Sequence, residues 1–574
     1  MDKHAAARLL DTIASYQELK GENPFKVRAF SNAARAVDGY AGDLAEALAS
    51  GALAATKGIG PATLEVVREF ASSGHSTLLE ALRREIPDGL VEMLRISGLG
   101  VTKIRTLHEQ LHISTIAELE LAARNGRLAA LPKFGEKTAE KILRGIEFLR
   151  RTSAFRLSHR ARRAAEELRD AVAAVPGVER VEVAGSVRRC LEISRDVDLA
   201  VCARGPAAAL EAGLAAIPSV REARATGEGA FTLRLDDETA ADVYCAPPER
   251  FGACLAWATG SAAHLAALAA HAASRGLGLG AGGLTREGTP VPCPDEAALY
   301  GALGLAWIPP ELREGGEEIA RAAAGTLPRL VERAHLRGLL HCHSVYSDGT
   351  NTLPELAEAC RAAGYRYLGL TDHSIAAAYA GGLREEAIAR QHAEIDTLNR
   401  SWSDFRILKG IEADILAEGP LDYGPAILDR FDFVIGSVHS RFEQDQATMT
   451  QRVLRAMDDP HLTILGHPTG RLLLGRDPYP LDMDAVVAKA AERGVAIEIN
   501  GDPQRLDLDW RRCAAARDAG ATISIGADAH SLAGFDNMGF GVAVARKGWL
   551  EAKDVLNTLD VEGFLSYAGK GNAP

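Results

Sequence analysis

RGLLHCHSVYSDG, residues 337–349, is an aliphatic run that ends in two histidines, His341 and His343, with Asp348 close behind. On a strand, residues i and i+2 face the same way, so the two imidazoles can share one ion. The same pattern recurs through the C-terminal part of the chain. YRYLGL runs into Asp372 and His373, RILKGI into Glu412 and Asp414, FDFVIGSV into His439, LTILG into His467, and ATISIG into Asp528 and His530. Helix-like stretches lie between them, at Leu353 to Ala363, Glu385 to Asn399, Met483 to Arg493 and Trp510 to Ala519. Strand alternating with helix predicts a parallel βα repeat. With VAIEIN at 495–500, which adds no ligand to this set, the strands number seven. The C-terminal strand ends of a βα barrel build one face, where scattered positions converge. The ligand set is imidazole and carboxylate without thiolate, which suits zinc, manganese or iron. It is large enough for a cluster of two or three ions, and so predicts metal-assisted hydrolysis. His392 and His461 lie outside the pattern and read as surface or satisfied core residues.

At 574 residues the chain is too long for one core and implies several domains. It contains no apolar run of about 18 residues, and its first residues lack a signal-peptide pattern. Eight cysteines are scattered without a C-x-x-C pair, which argues against a disulfide framework or a thiolate zinc site. The expected location is cytoplasmic, with no membrane association. Net charge is −12, but residues 1–165 hold 25 Lys and Arg against 19 Asp and Glu, a balance of +6 that leaves −18 for the remainder.

Three glycine turns fall in that basic segment: KGIGPATLEVV (57–67), SGLGVTKIRTL (97–107) and PKFGEKTAEKIL (132–143). Each precedes an amphipathic helix. Glycine lets backbone N–H groups approach a phosphate, and a helix N-terminus favours its charge. The candidate DNA-contacting positions are Gly58, Gly60, Gly98, Gly100 and Gly135. In the middle of the chain, GSVRRCLEISRDVDLAV (185–201) spaces Asp196 and Asp198 at i and i+2 on an expected strand. Hard oxygen ligands of that kind hold Mg²⁺. Asp242, in TAADVYC, is the candidate third carboxylate.

These motifs carry a family resemblance. Residues 335–570 resemble a PHP (polymerase and histidinol phosphatase) domain, a distorted seven-stranded barrel with a trinuclear phosphoesterase centre. The resemblance implies one ion on His341, His343, Glu412 and Asp528, a second on Glu412, His439 and His467, and a third on Asp348, His373 and His530. Asp372 and Asp414 are candidates to support these ligands, and Arg471 and Arg476 to clamp a phosphate. The glycine turns resemble helix-hairpin-helix elements that grip DNA without reading its sequence, and NPFKVRAFSNAARAV (23–37) resembles the opening of a family X DNA polymerase. Residues 185–201 resemble that family's nucleotidyltransferase signature, in which Gly185, Ser186 and Arg189 would contact the incoming triphosphate beside the metal-binding Asp196, Asp198 and Asp242. FGACLAWATGSAAHL (251–265) is similar to the start of the thumb, adding Gly260 and Ser261 to the nucleotide site.

The sequence departs from the family pattern where cations are usual: Ala262 replaces a Lys, Tyr244 an Arg, and LAALAAHAA (265–273) a basic run. Lost cations weaken triphosphate neutralisation.

The expected organisation is a helical domain at 1–85, helix-hairpin-helix fingers at 86–155, an α+β palm at 156–250, a thumb at 251–310, a linker at 311–335, and an α/β barrel of (βα)7 type at 336–574. The expected function is a monomeric DNA repair enzyme using dNTPs and gapped or 3′-recessed DNA, read without sequence preference. Gap filling would use Mg²⁺, and 3′–5′ exonuclease or 3′-end phosphoesterase action would use a Zn²⁺, Mn²⁺ or Fe²⁺ cluster. The alternative is a PHP nuclease or phosphatase whose polymerase half is weak or only binds DNA. A DNA-binding scaffold with vestigial sites is the third reading, and tightly bound metal would argue against it.

Overall fold

The computed structural model describes residues 3–570 except 41, 97, 133 and 228. Ser97 and Lys133, within two of the glycine turns, therefore lie outside the described residues. The chain separates into two compact units, Met1–Ala154 and Phe155–Pro574.

The first unit is helical, and most of its helices start in one of two ways, an exception being Asp88–Met93, which follows Pro87. Asn23, Asp43, Ser76 and Thr115 cap their helices with side-chain oxygens. Pro61–Ser73, Val101–Leu111 and Glu136–Thr152 begin instead at Gly60, Gly100 and Gly135, where no side chain caps the helix. Those glycine starts leave the first-turn N–H groups without a side-chain acceptor. Gly58 and Gly98 adopt the left-handed conformation, at φ 98° and 81°, which glycine takes without a Cβ penalty.

The second unit opens with a five-stranded sheet. Its strands lie in the spatial order Val178–Val183, Val197–Ala203, Ala240–Ala246, Ala230–Leu235 and Val220–Gly227. Only the pair Val197–Ala203 and Ala240–Ala246 runs parallel. Leu168 and Val172 of helix Ser158–Ala173 and Leu210 and Leu214 of Ala207–Ala215 pack into one core with Leu199, Val201 and Val243. A second core joins Ala200 and Cys202 to Phe251, Cys254 and Leu255 of helix Phe251–Thr259. The thumb segment continues through helix Ala262–Ser274, a three-stranded antiparallel sheet and helix Glu296–Ala302.

Residues 311–335, expected to be a linker, are packed rather than extended. Arg313 is fully buried and shares Glu296 with Arg188. Buried Glu318 accepts from Gly315 N–H and meets buried His264 at 2.7 Å. A charged, Ala-rich sequence reads as solvated, but charges are buried when paired, and the pairing partners here are far away in sequence.

The rest closes into a seven-stranded parallel barrel, with strands Gly338–Cys342, Tyr367–Leu370, Arg406–Asp414, Phe433–Ser437, Leu462–Leu465, Ala496–Asn500 and Ile523–Ala529 in sequential order. Successive residues alternate between two cores. Leu340, Tyr367, Leu408, Ile435, Ile464 and Ala496 pack with Phe564 of the last helix, Val561–Lys570, whereas Leu339, Leu368, Ile407, Val434 and Ile497 pack among the surrounding helices. Tyr367 and Phe433 hold the Phe564 ring at 5.5 and 5.3 Å between centroids. The candidate ligands sit at the C-terminal strand ends and just beyond them. Among the described residues, no helix is long and apolar enough to cross a membrane.

Candidate functional site

All nine C-terminal candidate ligands converge. Glu412, 1% exposed, is the hub: its carboxylate lies 3.3 Å from His341 Nε2, 2.8 Å from His373 Nδ1, 3.3 Å from His439 Nε2 and 3.0 Å from His467 Nε2. Asp528 reaches His343 Nε2 at 3.4 Å and His341 Nε2 at 3.7 Å. Asp348 lies 3.3 Å from His530 Nε2 and 3.7 Å from His373 Nε2. Ligand atoms within 4.8 Å of one another form three groups: His343, Asp348, His373 and His530; His341, His343 and Asp528; and His373, Glu412 and His439. His343 thus belongs to two groups, whereas the family resemblance gave it only one.

The site fits metal ions on its own chemistry. His467 Nδ1 and His343 Nδ1 are buried without a hydrogen-bond partner, and His341 Nε2, His343 Nε2, His373 Nδ1 and Glu412 Oε2 are buried close to opposite groups without an aligned hydrogen bond. Buried polar atoms are normally paired, so lone-pair donors crowded together without aligned hydrogen bonds mark a place for cations. Burial, aided by His530, pushes the His343 imidazole down to about 3, which keeps it in the neutral form that ligates. Burial opposes ionisation of Glu412, yet His439, His341 and His373 hold its carboxyl well below the usual range. His341, His467 and Asp528 have positive φ, at 60°, 24° and 47°. Backbone strain of this kind, about 1–3 kcal/mol per residue, is concentrated at functional sites.

The supporting residues were only partly anticipated. Asp414 accepts from His439 Nδ1 at 2.7 Å. Asp372, fully buried, takes hydrogen bonds from Ser344 N–H, Ser344 Oγ and Gln391 Nε2, which ties down the loop after His343. Glu498, on the strand expected to add no ligand, meets His341 Nδ1 at 2.5 Å and accepts from His467 N–H at 2.7 Å. A single Glu in VAIEIN carries no spacing signal, and only barrel closure brings it to His341.

Arg471 donates to the Arg505 carbonyl, the Leu506 carbonyl and Asp509. Arg476 donates to the Gly470 carbonyl and covers the Phe442 ring at 4.2 Å. Both guanidiniums therefore brace loops. Arg505, missed in the sequence, is the arginine beside the ligands, with Nε 3.4 Å from Asp528.

In the palm, Asp198 and Asp242 are direct neighbours on the parallel strand pair. Asp196 precedes the strand rather than lying on it. Burial, then the charges of Asp196 and Asp242, push the Asp198 carboxyl up to about 7, the signature of three crowded carboxylates. Gly185 has φ 59°, and a Cβ there would fall 1.7 Å from Asp198 Oδ2, so no larger residue fits. Thr232 Oγ1 donates to Asp242 at 2.7 Å.

The other nucleotide candidates are engaged locally. Ser186 Oγ donates to Ser194 Oγ, and Ser261 caps helix Ala262–Ser274. A Cβ on Gly260 would lie 2.8 Å from both the His264 and Leu265 side chains. Arg188 donates to Thr259 Oγ1, and Arg189 to the Thr259 carbonyl, so the Gly-Ser-x-Arg-Arg and Thr-Gly-Ser motifs meet. Arg189 also donates to Glu314 at 3.0 Å. Burial, with Asp198 and Asp242, pushes the Tyr244 phenol up to about 12, so it stays neutral.

Family models match for a helix-hairpin-helix domain (residues 1–76), a SAM-like helix-hairpin-helix tandem (90–147), the DNA polymerase beta thumb (254–314) and the PHP domain (340–501). The chain is 37% identical over 573 residues to the DNA polymerase/3′-5′ exonuclease PolX of Bacillus subtilis (strain 168), covering 98% of this chain and 99% of that protein. A probable phosphatase of Shewanella sp. (strain MR-4) is 32% identical over 209 residues, covering 34% of this chain and 78% of its own. The chain therefore belongs to the PolX family, the bacterial family X DNA polymerases that carry a C-terminal PHP domain.

Proposed function

We infer that the protein is a DNA polymerase and 3′–5′ exonuclease in which each activity has its own metal-dependent site. The observation that carries this reading is the convergence of nine candidate ligands at one end of the barrel, eight in three close groups and His467 against Glu412, in a chain that aligns end to end with PolX. The same unit carries the three-aspartate palm.

At the palm, Asp196, Asp198 and Asp242 would hold Mg²⁺. Thr232 orients Asp242, Gly185 lets the backbone approach Asp198, and Arg189 with Gly185, Ser186, Gly260 and Ser261 would receive the triphosphate. At the barrel, the nine ligands would hold two or three zinc, manganese or iron ions, which supply a Lewis acid and lower the pKa of water. Glu498 and Asp414 would fix His341 and His439, since a second hydrogen bond sets a ligating imidazole's tautomer and angle, and Asp372 would hold the loop after His343. Arg505, rather than Arg471 or Arg476, is the cation placed to meet a scissile phosphate. The glycine-started helices at 60, 100 and 135 would bind DNA phosphates without sequence preference.

A weak polymerase half has its own support: Ala262 and Tyr244 supply no cation, and Arg189 is engaged by Glu314. The test is to incubate the purified full chain, as a monomer by light scattering, with gapped and 3′-recessed DNA, with and without dNTPs, in Mg²⁺ and Mn²⁺. Extension with dNTPs and shortening without them support both activities. Shortening without extension supports the weak-polymerase reading, and neither activity sinks both.

A further inference from the structure

Large apolar side chains are left exposed around the barrel centre, each two residues after a ligand or its partner. Val345 follows His343, Ile375 follows His373, Leu416 follows Asp414, and Leu532 follows His530, with exposures of 49%, 42%, 39% and 39%. Tyr379 stands out further, 75% exposed, with its ring centroid 6.4 Å from that of His373. Exposed apolar groups next to a polar site suit contact with a ligand.

The Tyr379 position is built. Leu383 N–H donates to the His373 carbonyl at 2.9 Å, Ala376 N–H to Asp422 at 2.8 Å, and Gly382 N–H to the Ala377 carbonyl at 3.1 Å. Ala377 and Ala380, on either side, are buried. A Cβ on Gly382 would fall 1.9 Å from the Ser374 carbonyl, so the turn closes tightly only with glycine there. The segment therefore holds one aromatic ring in water beside the ligands.

We propose that Tyr379 is a specificity-determining platform on which the base of the 3′-terminal nucleotide stacks while its phosphodiester lies at the barrel centre. The proposal rests on the reading that 3′ hydrolysis occurs in the barrel. Every base offers a π-face, so such a platform selects nucleotides without selecting sequence.

The experiment compares wild type, Tyr379→Ala and Tyr379→Phe on two DNA substrates, one ending in an ordinary 3′ nucleotide and one ending in a 3′ tetrahydrofuran residue that has no base. Stacking on an aromatic predicts a rise in KM of about tenfold for Tyr379→Ala on the ordinary end. Tyr379→Phe should keep the wild-type KM, and the base-free end should be processed equally by all three. Metal content and melting temperature should not change, because the side chain is exposed. An equal loss on both ends, a loss of metal, or no effect on either end overturns the platform. The double variant His341→Ala/His343→Ala is the separate control: if it still shortens DNA, the location of hydrolysis is wrong, whatever Tyr379 does.

Discussion

Lys547, fully buried on helix Asn537–Lys547 beside the barrel, donates its ammonium to the main-chain carbonyl of Arg189 in the palm at 3.0 Å. The same ammonium pairs with Glu314, which accepts from Arg189 Nε, and lies 4.5 Å from the Trp510 ring centroid. Arg189, a candidate to contact the triphosphate, is thus held in part by a residue of the barrel domain.

Replacing Lys547 with Met should therefore reach the palm. Removing one partner of a buried ion pair is strongly destabilising; because Glu314 keeps some exposure and retains Arg189, we expect a loss of about 2 kcal/mol. Urea unfolding would measure it, and dNTP affinity should fall while 3′ hydrolysis on pre-folded protein holds. Loss of hydrolysis with unchanged dNTP affinity would contradict the coupling.

Glu296 makes the thumb's contact with the palm dependent on acid. Burial favours its neutral form, but hydrogen bonds from Arg188 and Arg313 hold the carboxyl down at about 2, against 4.5 for a free glutamate. A carboxyl depressed in the folded state contributes stability that is complete above its unfolded pKa and is lost as pH falls through the folded one. The window is thus between about pH 4.5 and 2, and the contribution is about 3 kcal/mol. Glu296→Gln should lower stability at pH 7 and flatten the acid limb of a melting-temperature profile. An unchanged limb would remove Glu296 from the account.

Glu498 holds His341 Nδ1 and the His467 amide. Glu498→Gln should weaken metal binding about 10- to 100-fold, the usual cost of losing a ligand's supporting partner, and nucleotide addition should be spared. Metal content after dialysis reads the first effect directly, and retention at the wild-type level would refute it.

The two chemistries should separate by mutation. Asp198→Ala should abolish nucleotide addition and leave hydrolysis largely intact, and His341→Ala with His343→Ala should do the reverse. Ala262, exposed at the first turn of its helix, is open to replacement; Ala262→Lys should raise dNTP affinity without altering 3′ hydrolysis. Either variant pair behaving the other way round would reverse the assignment of activities to halves.

No 5′-deoxyribose-phosphate lyase activity is expected by an imine route, which needs an amine nucleophile. The positions after the first glycine turn are Ala62, exposed, and Val66, buried. A borohydride-trapped adduct on a lysine in residues 57–70 would overturn this.

The seven barrel strands and the convergence of the nine candidate ligands were legible because six aliphatic runs each lead into one or more of them, and a strand's period of two orients residues locally. The i, i+2 spacing of Asp196 and Asp198 put both on a strand, but Asp196 precedes it and Asp242 meets Asp198 only by strand pairing; the glycine turns, whose chemistry acts within a few residues, were legible. The supporting contacts were not. Glu498 reaches His341 only because the barrel closes, Arg313 and Glu318 are buried only because Glu296 and His264 lie across a fold, and Lys547 meets Arg189 across 358 positions of chain. By itself, the sequence determined the elements and the ligand chemistry, which rest on local spacing. Only the tertiary structure decided which charges are spent in pairs and which stand free for substrate, because pairing depends on distances that chain separation does not encode.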